Sequence, residues 1–143
     1  MQDNDLFYEH LIQMYLQAPV NHPFEPVLKI DDASARLIMK VKTQHFHSAH
    51  YLHGSIIFKA LDDSAFFAAQ SIEPEFFVVT STFNSHFIRP VNKGHLIAIG
   101  SVISQTKSRI IAESKVFDDN DKLIAHGSGV FSPSRSRLND IFQ

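Results

Sequence analysis

Residues 53–69 have the sequence HGSIIFKALDDSAFFAA, and this stretch decides the fold. Apolar side chains cover most of the circumference of the predicted helix, which begins near Ser55 and ends near Ser71, before Pro74. A helix that is apolar almost all round is buried on several sides. The sequence therefore predicts one central helix that other elements enclose.

Strands are predicted on both sides of this helix. After the helix, strand patterns occupy residues 76–88, 94–105, 109–117 and 122–132. The turns between them are short, and strands joined in this way pair antiparallel, because a parallel pair needs a long crossover. Before the helix we expect one or two strands, of which residues 34–42 alternate apolar and polar side chains. The tail from Pro133 is expected to be a loop.

The predicted fold class is α+β, with a long antiparallel sheet wrapped around the central helix. Residues 4–18 show helical spacing of apolar side chains and are predicted to form an N-terminal helix, which Pro19 and the prolines after it end. No linker or repeat divides the chain. We therefore expect a single domain that spans residues 1–143.

Composition excludes several classes of function. The chain has 143 residues, 44% hydrophobic and 20% charged, as in one globular domain. The absence of Cys excludes a disulfide framework, a thiolate metal site and a cysteine nucleophile. A net charge of −2 gives no reason to expect a nucleic acid partner. The apolar runs are too short for a membrane span and the N-terminus is acidic, so we expect no membrane association and, most simply, a cytoplasmic location.

Two segments of the chain resemble the hotdog-fold acyl-CoA thioesterases of the PaaI-like group. In that family a His-Gly-Gly opens the central helix, and an Asp or Glu follows nine residues after the His, as His53, Gly54 and Asp62 do here. Residues 80–94, TSTFNSHFIRPVNKG, resemble the family's third strand and its Arg-Pro-Val turn. The resemblance covers about residues 30–132. It implies the hotdog fold and the hydrolysis of an acyl-CoA to free acid and CoA, without metal or cofactor.

The resemblance also implies roles for residues at the start and in the middle of this helix. Gly54 would polarise the thioester carbonyl through its backbone N–H, as the positive end of a helix dipole can do. Asp62 would act as a general base or as a nucleophile. Asp63 remains an alternative carboxylate, although Lys59 lies four residues before it and a surface ion pair would explain it equally well. Ser55 replaces the family's second Gly and is a candidate for substrate binding.

Two further residues are candidates for the catalytic site. His53 is expected to orient the turn into the helix or to contact substrate. The neighbouring His45, His47 and His50 match no zinc spacing, so no metal is expected. Thr80 matches a Ser or Thr that positions the attacking water in some family members. Because the resemblance puts its strand at a dimer seam, we expect Thr80 to lie beside Asp62 of the partner subunit.

The strand that carries Thr80 shows a period-two pattern. Its alternation predicts one face with Phe77, Val79, Phe83 and Phe87, and another with Thr80, Thr82, Asn84 and His86.

Substrate-binding candidates form an apolar set and a polar set. The apolar set, which would line an acyl pocket or simply pack the core, is Phe58, Phe66 and Phe83. The polar set, which would contact the phosphates of CoA, is Arg89, Lys107, Ser108 and Arg109.

Two other functions remain open for a chain of this fold, and a third is disfavoured. It could bind acyl-CoA without turnover, or act as an enoyl-thioester hydratase or dehydratase, which would pair a His with a carboxylate. An acyl-CoA-sensing regulator would need a DNA-binding arm, but residues 1–28 contain no Lys or Arg. In each case the long strand at residues 76–88 predicts a homo-oligomer, a dimer or tetramer, because an exposed edge pairs readily with a second copy.

Overall fold

The computed structural model describes residues 2–143. Its helices and strands, in chain order, are α1 (Gln2–Gln17), β1 (Val27–Asp31), β2 (Ser34–Lys40), α2 (Gly54–Gln70), β3 (Phe76–Phe87), β4 (His95–Gln105), β5 (Ile110–Phe117), β6 (Leu123–Arg137) and α3 (Leu138–Ile141). Short 3₁₀ turns occupy Pro19–Phe24 and Thr43–His45. In this part of the chain, no helix combines the length and the apolar character that a membrane span requires.

The six strands form one antiparallel sheet in the order β1-β2-β4-β5-β6-β3. Helix α2 packs against one face of this sheet, and its central residues Leu61, Ala65 and Ala68 have no solvent exposure. The predicted α+β architecture, with a long antiparallel sheet around a central helix, is therefore confirmed. Strand β3 lies at one edge of the sheet and β1 at the other.

Helix and sheet approach closely where both carry small side chains. A Cβ on Gly100, in β4, would overlap the backbone carbonyl of Ser64 in α2. Beside this contact, the Ser114 hydroxyl of β5 donates a hydrogen bond of 2.8 Å to the Leu61 carbonyl oxygen. The buried Ser114 thus satisfies its own polar group on the helix backbone. These contacts fix the depth at which α2 sits on the sheet.

The tail was wrongly expected to be a loop. Strand β6 continues through Pro133 to Arg137, and Pro133 pairs with Val78 of β3. Proline lacks an N–H and is tolerated in a sheet near an irregularity, and the ladder is irregular between Phe76 and Val78. Leu138 then begins α3 and is fully buried.

A bulge in β3 changes which residues face the helix. Thr80 pairs with the buried Phe131, whereas Thr82 pairs with the next residue along β6, Val130. Successive residues of a strand point to opposite faces, so Thr80 and Thr82 lie on opposite faces. The predicted alternation is therefore wrong at two positions: Thr80 faces the helix, and Val79 is 43% exposed.

The close approach of α2 to Gly100 predicts that an alanine destabilises the fold at Gly100 but not at Gly54. We expect Gly100→Ala to lower the free energy of unfolding by about 1–3 kcal/mol, because the methyl group forces α2 away from β4. Gly54→Ala is the matched control, since its Cβ would meet nothing nearer than the Phe87 ring at 3.9 Å. Urea unfolding at equal protein concentration measures both. An unchanged midpoint for Gly100→Ala would mean that helix and sheet have room to separate.

Candidate active site

The N-terminus of α2 is capped by His53. The His53 Nδ1 accepts a hydrogen bond from the Ser55 backbone N–H at 3.0 Å and lies 2.8 Å from the Ser55 hydroxyl oxygen. Gly54 is the first residue of the helix, and its N–H has no hydrogen-bond partner among residues 2–143. Phe87 and Arg89 border a cavity of about 280 Å³ that opens at this glycine. An unpaired N–H at the positive end of a helix suits an oxygen that gains negative charge.

The two neighbouring carboxylates of α2 have different environments. One oxygen of Asp63, Oδ2, accepts hydrogen bonds from the Tyr15 hydroxyl at 2.7 Å and from the Lys59 ammonium at 2.8 Å. Asp62 accepts a single hydrogen bond, from the Thr80 hydroxyl to its Oδ1 at 2.9 Å. Within the described chain the other Asp62 oxygen has no protein donor. Asp63 is thus held in an ion pair, as its spacing from Lys59 allowed, and Asp62 keeps one oxygen available.

The electrostatic setting of Asp62 favours its neutral form. Burial raises the pKa of Asp62 above its ordinary value, and the negative charge of Asp63 adds to the rise. The hydrogen bond from Thr80 and the positive charge of Lys59 oppose it. A carboxylate that is partly desolvated in this way is more basic than one in water.

The Asp62 carboxylate lines a cavity of about 350 Å³ between α2, β3 and the N-terminal segment. Of the three predicted lining residues, only Phe66 borders this cavity. Phe58 and Phe83 instead pack edge to face, with ring centroids 5.5 Å apart. A larger cavity of about 500 Å³ lies between α1 and the β1–β2 hairpin, and neither Asp62 nor Asp63 lines it.

Thr80 contacts Asp62 of its own chain. The family resemblance implied a position beside Asp62 of the partner subunit, because it puts this strand at a dimer seam. The bulge turns the side chain toward α2, which accounts for the difference.

The polar residues predicted to bind CoA lie at two separate places. Arg89 follows the end of β3, near Gly54, and donates a hydrogen bond to the Leu123 carbonyl oxygen at 2.9 Å. Lys107, Ser108 and Arg109 form the loop between β4 and β5, near the opposite end of β3. Ile110, which follows this loop, is level with Thr80 across the sheet, because both pair with Phe131. Thr80 and Arg89 are nine residues apart, about 30 Å along an extended strand. One chain therefore does not bring the two groups together.

The two candidate catalytic groups, Gly54 and Asp62, are also separated within one chain. Gly54 and Asp62 are eight residues apart on α2, which corresponds to about 12 Å along the helix axis. A single carbonyl group cannot contact the Gly54 N–H and the Asp62 carboxylate of the same chain.

Sequence reasoning missed the contribution of the N-terminal segment. Tyr15 of α1 donates to Asp63, and Met14, Ala18 and Val20 line the cavity beside Asp62. Helical spacing indicated a buried stripe on α1, but gave no sign of what the stripe contacts. Among residues 2–143 no three His, Asp or Glu side chains lie close enough together to hold a metal ion.

Known structures and sequences resemble this chain over most of its length. The PaaI protein of the phenylacetic acid degradation operon of E. coli superposes with a TM-score of 0.83 and 20% identity, covering 92% of this chain and 95% of that one. A thioesterase family protein from Silicibacter pomeroyi gives a TM-score of 0.80 and 20% identity, covering 88% and 96%. A Sulfurisphaera tokodaii protein named "Putative esterase" is 29% identical over 103 residues, 72% of this chain and 77% of its own.

The structural matches confirm the hotdog fold that the family resemblance implied. The family assignment depends on sequence: the family model described as "Thioesterase superfamily" matches residues 49–125, which contain α2, the whole of β3 and the Arg-Pro-Val turn. These residues make up more than half of the chain and include Gly54, Asp62 and Thr80. The chain belongs to the Thioesterase superfamily, a family of thioester hydrolases.

Proposed function

We propose that the protein is an acyl-CoA thioesterase that hydrolyses the thioester to a free acid and CoA. The observation that carries this proposal is Asp62, a half-buried carboxylate with a raised pKa and one free oxygen, on the wall of an apolar cavity. As a general base, Asp62 takes a proton from water while the water oxygen bonds to the carbonyl carbon. As a nucleophile it bonds to that carbon itself, and water then hydrolyses the anhydride. In both cases the C–S bond breaks and the CoA sulfur takes up a proton, from Asp62 in the first route and from water in the second, so that CoA leaves as the thiol.

Gly54 supplies the second requirement of this reaction. The carbonyl oxygen gains negative charge as the carbon becomes tetrahedral, and a backbone N–H at a helix N-terminus stabilises that charge. The absence of a side chain on Gly54 lets the carbonyl approach the backbone. His53 supports this arrangement by capping the same helix end.

Each site takes its two halves from different subunits of a homo-oligomer. The separation of Gly54 and Asp62 in one chain, about 12 Å, supports this arrangement. At that distance a single carbonyl group cannot contact both the Gly54 N–H and the Asp62 carboxylate. Edge strand β3 supports it too, since two copies can pair antiparallel about a two-fold axis. With the axis between Phe83 and Asn84, in the second half of β3, Thr80 of one subunit lies opposite Phe87 of the partner subunit. Phe87 is the side chain nearest to Gly54.

This pairing also reunites the proposed CoA contacts. The end of the sheet that carries Arg89 in one subunit lies beside the end that carries residues 107–109 in the other.

A hydratase is less well supported, because among residues 2–143 no His donates to or accepts from Asp62. A protein that only binds acyl-CoA would differ in one respect: it would release no thiol.

Asp62→Asn removes the basic or nucleophilic oxygen with little change of volume. We expect it to lower kcat by about 10²–10⁴-fold in a thiol-release assay over a panel of acyl-CoAs. Asp63→Asn is the matched control and should be much milder, since its Oδ1 can still accept from Tyr15. The reverse ranking would assign the chemistry to Asp63. Absence of thiol release from the parent protein would overturn the proposed function.

The raised pKa of Asp62 predicts that the working carboxylate costs stability. Because the pKa is higher in the folded state, protonated Asp62 contributes to the free energy of unfolding. This contribution is complete below the ordinary pKa of 3.8 and is lost as the pH rises through the folded-state pKa. Asp62→Asn, which cannot ionise, should therefore have a higher Tm than the parent at pH 7. The difference should disappear near pH 3. A Tm difference that does not vary with pH would contradict the raised pKa.

Mixed oligomers of Gly54→Val and Asp62→Asn test the shared site. In a mixed dimer one site has both lesions and the other has none, whereas each homodimer is inactive. Equal random mixing should therefore restore about a quarter of the parental activity. The control is Thr80→Ala mixed with Asp62→Asn, which should restore less, because Thr80 and Asp62 belong to the same half-site. No recovery in the first mixture would mean that each site takes Gly54 and Asp62 from the same subunit, and would overturn the shared site.

A further inference from the structure

One wall of the cavity beside Asp62 is formed by residues that lie outside the segment matched by the family model. Two of its sides come from α2 and β3, through residues such as Phe66 and Phe77. The remaining side comes from the end of α1 and the turn after it, through Met14, Ala18 and Val20. We call these three residues the N-terminal wall. They lie outside residues 49–125, which match the thioesterase family model.

The N-terminal wall is attached firmly to α2. Tyr15, between two residues of the wall, is 5% exposed and donates a hydrogen bond of 2.7 Å to Asp63. Its ring packs edge to face on Phe67 of α2, with centroids 5.1 Å apart. The turn after α1 folds back because the Asn21 side-chain amide donates to the Tyr15 carbonyl oxygen at 2.8 Å.

A second attachment holds the far end of the same turn. The Lys59 ammonium lies 5.7 Å from the centre of the Phe24 ring, over its face. Phe24 is 6% exposed. The segment that carries the N-terminal wall is thus held to α2 at two points, Tyr15 and Phe24, so a ligand in the cavity meets a fixed boundary.

The size and chemistry of the cavity limit what it can hold. About 150 Å³ of apolar cavity accommodates one benzene molecule. A cavity of about 350 Å³ therefore holds a single aromatic ring with a few further carbons, or a chain of medium length. Longer groups would press against the N-terminal wall or pass Val20, which is 65% exposed, into water.

We propose that the N-terminal wall sets the upper limit of acyl size, so that the enzyme selects compact apolar acyl groups over long chains. This inference rests on the proposed thioesterase function. Met14, Ala18 and Val20 are then specificity-determining residues, and they act on the acyl group rather than on the reacting carbonyl. While the cavity fills, each buried methylene should raise kcat/KM by about fourfold. Once the cavity is full, additional methylenes should give no further gain.

The test measures kcat/KM for a series of straight-chain saturated acyl-CoAs and locates the chain length at which the gain ends. Ala18→Leu adds three carbons to the wall and should move this break to shorter chains. Met14→Ala removes most of a side chain and should move it to longer chains. Each variant's rate with its shortest substrate serves as its own reference. Leu6→Ala is the control, because Leu6 is 58% exposed on the same helix and outside the cavity.

The two wall variants act in opposite directions, so general damage to the fold cannot imitate the result. A melting curve for each variant verifies that it is folded. Opposite shifts of the break, with Leu6→Ala unchanged, support the proposal. A break that stays in place in the folded wall variants overturns the proposal and leaves the thioesterase function intact. Absence of thiol release from the parent protein with every acyl-CoA overturns both.

Discussion

The burial of α2 is the constraint on which the rest of the structure depends. The helix is apolar almost all round, and the antiparallel sheet covers one side of it so closely that Gly100 of β4 has no room for a side chain. The end of α1 packs against the helix beside the carboxylates, through Tyr15 on Phe67. Asp62 is partly buried because it lies within this enclosure, and that burial raises its pKa. The raised pKa on which the proposed role of Asp62 depends is therefore a consequence of how its helix is packed.

The length of α2 then determines how a site can be built. One end offers the unpaired N–H of Gly54, and the middle offers Asp62, at a spacing that one small reacting group cannot span. In the proposed function a second copy of the chain resolves this conflict without any new element, because β3 is an edge strand and runs past both positions. The catalytic site shared by two subunits that we propose thus follows from the enclosure of one helix by a single sheet.

Local pattern was sufficient to predict the elements that carry the site. The apolar helix at α2, the four long strands after it and the antiparallel pairing all follow from residues close together in sequence. Three features did not follow from such patterns. The bulge that turns Thr80 toward Asp62 and the continuation of β6 past Pro133 both depend on register with a neighbouring strand. The bond between Tyr15 and Asp63 joins residues 48 positions apart, and only tertiary packing brings them together.

A crystal structure with a non-hydrolysable ketone analogue of acyl-CoA tests the proposed site most directly, because the ketone oxygen marks where the thioester oxygen sits. We expect this oxygen within about 2.7–3.1 Å of the Gly54 backbone nitrogen of one subunit. The carbonyl carbon should then face the free oxygen of Asp62 of the partner subunit, with the acyl group in the cavity beside it. A ketone bound away from Gly54, or bound there with no Asp62 carboxylate from either subunit near its carbon, would contradict the proposed mechanism.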